Sequence, residues 1–381
     1  MNFALPDDIK SMQQHVREFA KAEIAPVASK LDCNPEFPWE TLKKMGELGL
    51  LGVTTPEEYG GTGLSTLGYV VLLEEISAAD AAHGTIMSVT NGLPQGMILT
   101  YGSDKQKEKY LPKLASGEWI GSFCLSEPHS GSDAVAMTTR ANKVEGGYEL
   151  TGTKAWTTSG GEAQVYLVMA KTDPNAGARG VSCFIIEKGT DGMTFGKPEE
   201  KLGQHAPITT SVTFDGCFIP ECQRLGAEGQ GFVYALASLD GGRIGIAAQA
   251  VGIARAALDA ALDYADERTA FGKTIREFQG ISFKLSDMAT QLEAARLLTY
   301  QAAWLKDSGQ RMTQAASMAK LFASEAASMI THQALQVFGG YGYSKDYPVE
   351  RYFRDARVTE IYEGTSEIQR VVIARQLYRH R

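Results

Sequence analysis

The stretch VTEIYEGTSEIQR, residues 358–370, sets a carboxylate directly before a glycine and just ahead of a helical pattern. Glu363 followed by Gly364 lets a ligand come close to the backbone, because glycine has no Cβ. A carboxylate so placed is a candidate general base. Ser366 and Gln369 have the spacing of a capping box, with Ser366 as N-cap. The helix they open carries Ile368, Val371, Val372 and Ala374 on apolar positions. A plainer reading makes Glu360, Glu363 and Glu367 a solvated acidic edge near a positive helix end. Both readings stand on this stretch alone.

Four other stretches could do chemistry. FCLSEPHSGSD, residues 123–133, offers amides and hydroxyls to an anionic or polar ring ligand. It reads equally as a connecting loop. In TKAWTTSGG, residues 153–161, Trp156 could stack on a flat ring with Thr157 and Thr158 as donors, or simply fill a core. Arg268, in RTAFGK, suits a phosphate, or ends a helix in solvent. QVFGGYGY, residues 336–343, ends a helix with Gly339, Gly340 and Gly342. One glycine would cap it; three suggest close approach to a ligand or another subunit. The glycines of TTPEEYGGTG, residues 54–63, lack GxGxxG spacing and read as loop.

The elements that position these residues follow from patterning. From about residue 7 to 116 the chain is helical. Asp7 and Asp8 could cap a helix striped by Ile9, Met12, Val16, Phe19 and Ala20, followed by helices over 39–48, 67–79, 85–101 and 103–114. Near Ile120 the texture turns to Gly, Thr, Ser and β-branched residues. Apolar runs at 165–170 and 181–186, alternation at 148–151 and 211–214, and turn signals at 173–177 and 191–192 predict an antiparallel β-domain, a small barrel or sandwich. After Gly229 helical period returns through Ile244, Val251, Leu258 and Leu262, then Ile281, Leu285, Met288, Leu292 and Ala295, then Met318, Phe322 and Met329. With a last helix closing near Tyr378 this outlines a four-helix bundle. The fold class is α+β, with an N-terminal helical domain (1–119), a middle β-domain (120–227) and a C-terminal bundle (228–381).

Composition narrows the partners. The 381 residues are 44 % hydrophobic and 22 % charged, with 37 basic against 45 acidic side chains, as in a soluble globular protein. No Lys/Arg run favours a nucleic acid or membrane surface. Cys33, Cys124, Cys183, Cys217 and Cys222 contain no CxxC and fit free thiols in a reducing compartment. No His pairs as HxxxH, so no metal site is expected. No apolar run suggests a membrane span. MNFALPDD has neither a basic nor an Arg-rich leader character, and a bacterial, cytoplasmic location is expected.

Taken together, CLSEP (124–128) with GSD (131–133), Arg268 with AFG (270–272), Gln336 with Gly339 and Gly340, RDAR (354–357) and IYEGTSE (361–367) resemble the acyl-CoA dehydrogenase family of flavoproteins over essentially the whole chain. Within it the chain is similar to short-chain (butyryl) and short branched-chain members. The resemblance implies FAD between the β-domain and the C-terminal bundle. Phe123, Leu125, Ser126, Gly131 and Ser132 would lie along the flavin, with Trp156, Thr157 and Thr158 beside its ring. Arg268, Phe271, Gln279, Gln336, Val337, Phe338, Gly339 and Gly340 would hold the diphosphate and adenosine end, partly from a neighbouring subunit. Thr365 and Glu367 would also touch flavin; Ser132, Asp240, Arg243 and Gly364 would contact substrate.

The implied reaction is α,β-dehydrogenation of a short, possibly branched acyl-CoA to a trans-2-enoyl-CoA, in fatty-acid β-oxidation or amino-acid catabolism. Glu363 would remove the α-proton, the β-hydrogen would leave as hydride to flavin, and electron-transfer flavoprotein would collect the electrons. The thioester oxygen would be held by the Glu363 amide and a flavin hydroxyl. The family's alternative base position corresponds to Gly242, which argues against an isovaleryl-type enzyme. A homotetramer, a dimer of dimers, is implied. A flavin-dependent oxidase using oxygen, or a non-catalytic scaffold of the same fold, are the other readings. His129, Gln204, His205 and Thr157 depart from the common family pattern.

Overall fold

The computed structural model describes residues 4–379; the start of the leader reading at Met1 lies outside them. Ile9 and Val16 bury one face of α1 (Asp7–Phe19). Its N-cap is Pro6, not Asp7 or Asp8, which stand in the first turn without capping through their side chains. A π-turn over Ala20–Ile24 carries the chain into α2 (Ala25–Cys33), whose second residue, Pro26, has no amide to give the preceding turn. After α3 (Trp39–Glu47) comes α4 (Thr66–Ala79), capped by Ser65 and buried over most of its surface. α5 (Ala81–Thr90) is capped by Asp80 and runs through a second π-turn into α6 (Gly96–Tyr101). α7 (Asp104–Ala115) opens with a Ser103–Gln106 capping box.

The middle of the chain is a sheet of β1 (Gly121–Cys124), β2 (Arg140–Val144), β3 (Gly147–Thr158), β4 (Val165–Lys171), β5 (Val181–Glu187), β6 (Met193–Phe195), β7 (Thr209–Pro220) and β8 (Arg224–Leu225). The order is β6-β7-β3-β2-β4-β5-β8, with β1 beside β4. The expected antiparallel pairing holds for most neighbours, with one correction: β1 and β2 both meet β4 in parallel. The β2–β3 hairpin lies between β1 and β4 in the chain and supplies the length a parallel return requires. β4 and β5 are buried on both faces, which explains their unbroken apolar runs.

α8 (Gly231–Glu267) is 37 residues long. It contains a stretch whose length and composition would suffice to cross a membrane, but charged residues interrupt it and 83 % of it is buried within the protein. It ends in a short hairpin, β9 (Thr269–Ala270) and β10 (Lys273–Thr274), followed by α9 (Gln279–Asp307), α10 (Thr313–Phe338), α11 (Val349–Arg357) and α12 (Ser366–Tyr378). α8 packs along α10 and α9 and back onto α4. The buried stripe of α10 is Ala316, Ala319, Ala323, Ala327, Ile330 and Ala334, small residues that let helices approach closely. Met318, Phe322 and Met329, expected to mark that stripe, are only half-buried beside it. α12 also differs from expectation. Its buried residues are Ser366, Gln369 and Gln376, while Val371 and Leu377 are exposed.

Candidate active site

Between a 3₁₀ turn at Val358–Glu360 and α12 the backbone passes through two consecutive left-handed residues, Glu363 (φ 51°) and Gly364 (φ 94°). That conformation costs a residue with a Cβ about 1–2 kcal/mol, so the surroundings must impose it on Glu363. They do so from two helices. Gln369 Nε2 of α12 donates to the Gly364 carbonyl at 2.8 Å, and Lys320 Nζ of α10 donates to the same oxygen at 2.9 Å. The expected Ser366 cap is displaced by one residue. Thr365 is the N-cap, its side chain accepting from the Ile368 amide at 3.3 Å, and Ser366 is inside the helix.

The Glu363 carboxylate lies against the backbone of Gly242 on α8. A Cβ added there would sit 2.0 Å from Oε2. Oε2 is buried and has no hydrogen-bond partner among the described residues. Burial pushes the carboxyl up to about 7, against the pull of the Lys320 and Arg243 cations. Arg243 is buried, its Nη1 paired with Asp240 and 3.5 Å from Ser317 Oγ. The second oxygen of Asp240 accepts from Thr313 Oγ1 at 2.7 Å. An acid whose pKa is raised by folding binds its proton more tightly when native. Stability therefore falls as pH rises from about 4.5 through about 7. Glu363→Gln is expected to be more stable than the parent above about pH 7, by on the order of 2–3 kcal/mol, with the gap closing below about pH 4.5. Thermal unfolding of both FAD-bound proteins at acid and alkaline pH checks this.

Tyr362 points the other way from the same turn. Its hydroxyl donates to Gln249 Oε1, and Gln249 Nε2 donates to the Ala81 carbonyl (2.8 Å) and to Thr85 Oγ1 (2.6 Å). Thr85 donates to Gln204 Oε1, and Gln204 donates through its amide and side chain to Asp355. This buried chain of hydrogen bonds joins the Glu363 turn to α5, α8, the β-domain and α11. Gln204 is thus a brace between domains. His205 bridges Asp32 and the Lys201 carbonyl.

A second cluster forms where β3 meets the loop after β1. Between Lys154 and Thr157 the β3–β7 register slips, Trp156 takes φ 58°, and its ring is turned outward, 63 % exposed. The Ser126 carbonyl accepts from the Ala155 amide, and Ser122 Oγ donates to the Thr158 carbonyl at 2.5 Å. Phe123, Leu125 and Ser126 are half-buried beside this bulge, and Gly131 and Ser132 are exposed. Thr157 faces inward, 3.6 Å from Cys124 Sγ, so its side chain does not point to where Trp156 does. Beneath the loop, Glu127 accepts from Lys154 Nζ at 2.8 Å and from the Thr138 and Thr139 amides. His129, more than half-exposed, has Nε2 3.7 Å from Glu127 Oε2.

A third cluster lies past the far end of α8. Phe271 (φ 51°) and Gly272 (φ 83°) make the tip of the β9–β10 hairpin, and Phe271 is 96 % exposed. Tyr264, Arg268, Phe271, Phe278, Phe338 and Tyr341 line an open groove of about 600 Å³ that also includes Val337, Gly339 and Gly340. Arg268 lies over the Tyr341 ring at 5.4 Å. Gln336 and Gln279 are exposed near this end, at the close of α10 and the start of α9. Gly242 and Arg268 are separated by 26 residues of one helix, about 39 Å at 1.5 Å per residue. This groove and the Glu363 carboxylate are therefore distant within one chain.

The sequence matches three family models that tile it: "Acyl-CoA dehydrogenase, N-terminal domain" over residues 6–118, the middle domain over 122–217 and the C-terminal domain over 229–378. The chain belongs to the acyl-CoA dehydrogenase family. It is 52 % identical to an acyl-CoA dehydrogenase of Bacillus subtilis (strain 168), over 96 % of this chain and 97 % of that one. It is 51 % identical to the mitochondrial short-chain specific acyl-CoA dehydrogenase of Mus musculus, over 98 % of this chain and 91 % of that one. The solved butyryl-CoA dehydrogenase of Megasphaera elsdenii superposes with TM-score 0.97 at 42 % identity, covering 99 % of this chain and all of that one. A chain from the structure described as "Electron transferring flavoprotein of Acidaminococcus fermentans: Towards a mechanism of flavin-based electron bifurcation" superposes with TM-score 0.98 at 46 % identity, over the full length of both.

In this acyl-CoA dehydrogenase the residues around Glu363 that sequence reasoning missed are Lys320, Gln249, Tyr69 and Ser88. The hydroxyls of Tyr69 and Ser88 meet over Gly245, one turn along α8 from Gly242. Lys320 and Gln249 are polar residues inside otherwise small, apolar helical stripes. That break in pattern was the available signal.

Proposed function

We propose that Glu363 takes the α-proton of a short acyl-CoA thioester in this acyl-CoA dehydrogenase. The observation that carries the reading is the desolvated, unpartnered Oε2 held against Gly242. A carboxyl pushed up to about 7 is ionised enough to act near neutral pH and basic enough to accept a proton from carbon. The Glu363 amide donates no backbone hydrogen bond among the described residues, which leaves it for the thioester oxygen as negative charge develops. Arg243 and Asp240, at the Gly242 end of α8, would meet the thioester beyond its acyl group, together with Ser132 and Gly364.

The cofactor is FAD, which supplies the acceptor for the β-hydride when bound. The chain's residues fit it. Trp156 stands outward on a bulge beside the Phe123–Ser132 loop, with Thr158 next to it, and Arg268 stands over an aromatic groove ending at Gly339 and Gly340. Thr157 would contribute through its backbone. Thr365 and Glu367 would approach from the start of α12. Because the groove and Glu363 stand far apart in one chain, the Arg268 groove would serve a neighbouring subunit's cofactor. The exposed Phe283, Trp304, Val371 and Leu377 support a homo-oligomer, a tetramer in our reading. Electron-transfer flavoprotein is the proposed electron acceptor, supported by the Acidaminococcus fermentans chain.

A short acyl group is favoured by what fills α8 beyond Gly242. Tyr69 and Ser88 close over Gly245, and Gln249 is tied to Tyr362 two turns on. Anaerobic mixing with butyryl-, octanoyl- and palmitoyl-CoA tests this. Flavin absorbance should bleach fastest with the butyryl thioester; faster bleaching with the palmitoyl thioester would overturn the short-chain reading.

A further inference from the structure

Lys320 is fully buried in α10, where the nearest buried residues of the helix, Ala316, Ser317, Ala319, Ala323 and Ser324, are all small. A lysine is costly to bury unless its charge is used, and an apolar residue of similar volume usually serves packing as well or better. Among the described residues no carboxylate lies within ion-pair distance of Lys320 Nζ, which donates to the Gly364 carbonyl at 2.9 Å. Gln369 already donates to that same oxygen at 2.8 Å. The hydrogen bond to the turn is thus duplicated by a neutral group, whereas the charge is not.

Several charged or titratable groups face Glu363. From α8 come Arg243 and Asp240, which are paired with each other. From α4 comes the Tyr69 hydroxyl, while Tyr362, in the turn itself, points away from Glu363 toward Gln249. Glu360, held by Ser328 and Arg357, and the exposed Glu367 act on Lys320 from either side of the turn. Arg243 is committed to Asp240, so Lys320 is the cation near Glu363 that is not neutralised by a direct partner. We propose that Lys320 is a positioning residue for the reaction: its ammonium pins the Glu363–Gly364 turn and supplies the positive charge that lets a desolvated base stand as a carboxylate. This rests on the reading of Glu363 as the base. The two groups shift each other in the sense this requires. Burial lowers Lys320 to about 8, and the Glu363 charge opposes that fall. Once substrate and flavin exclude water, the coupling strengthens.

The test uses the FAD-bound enzyme and butyryl-CoA, with the rate of flavin bleaching measured against pH. Lys320→Gln keeps a donor for the Gly364 carbonyl and removes the charge; Lys320→Arg keeps the charge. In Lys320→Gln the acid limb of the profile is expected to move up by about one unit or more, with a roughly tenfold loss of rate at neutral pH that is recovered at alkaline pH. Lys320→Arg should keep the limb near its parental position. Lys320→Met, an apolar replacement of similar length, should move the limb as Lys320→Gln does. A slower Lys320→Gln enzyme whose limb has not moved, or has moved down, would overturn the proposal. So would a Lys320→Arg limb displaced as far as that of Lys320→Gln. Glu363→Gln separates the two claims: if it still bleaches, the base reading is wrong. If it is inactive while Lys320→Gln leaves the limb in place, only the role of Lys320 is wrong.

Discussion

Glu363→Gln is expected to slow flavin bleaching by butyryl-CoA by ~10²–10⁴-fold, the range a positioned general base contributes. The amide cannot accept the proton, yet it matches the carboxyl in size and leaves the turn's clamps from Lys320 and Gln369 in place. FAD content should not change, because neither Trp156 nor the Arg268 groove is touched by Glu363. The variant should also outlast its parent on heating above neutral pH, since it no longer carries a buried charge. Loss of activity with gain of stability is a paired outcome that a merely structural role for Glu363 would not produce. Stopped-flow bleaching and thermal unfolding on one preparation read both.

Gly242→Ala has the next largest expected effect. Its new methyl would need the place now held by Glu363 Oε2, which is 2.0 Å away. The carboxylate must rotate off, and a base misplaced by about 1 Å can cost ~10²-fold. Its amide partner at the thioester oxygen would shift with it. The loss should appear in the bleaching rate rather than in FAD content, which absorbance after desalting reports. A Gly242→Ala enzyme that bleaches at the parental rate would show that the site tolerates a different carboxylate position.

Much of this was legible because the relevant signals are local. Glu363 beside Gly364 announced itself by residue type, and the change from helical to alternating texture near Ile120 marked the sheet. What was not legible depends on distant pairing. The parallel return of β4 onto β1 is set across the intervening β2–β3 hairpin, and no local pattern records strand direction. The α10 stripe was misplaced because its interior is alanine, so the larger Met318, Phe322 and Met329 drew attention to the flank. The α12 cap moved from Ser366 to Thr365 because either hydroxyl can cap, and the strained turn before it decided which. Lys320 escaped notice because the group it bonds, the Gly364 carbonyl, belongs to a different helix junction. The family motifs singled out the Trp156 and Arg268 stretches together, but only the structure separates the Trp156 bulge from the Arg268 groove.

The most direct test of proton removal by Glu363 is exchange at carbon two. Butyryl-CoA incubated anaerobically with the FAD-bound enzyme in deuterated water, then recovered for mass spectrometry, should gain deuterium at that carbon with the parent enzyme. It should gain none above the enzyme-free background with Glu363→Gln. Equal incorporation by the two proteins would contradict the assignment.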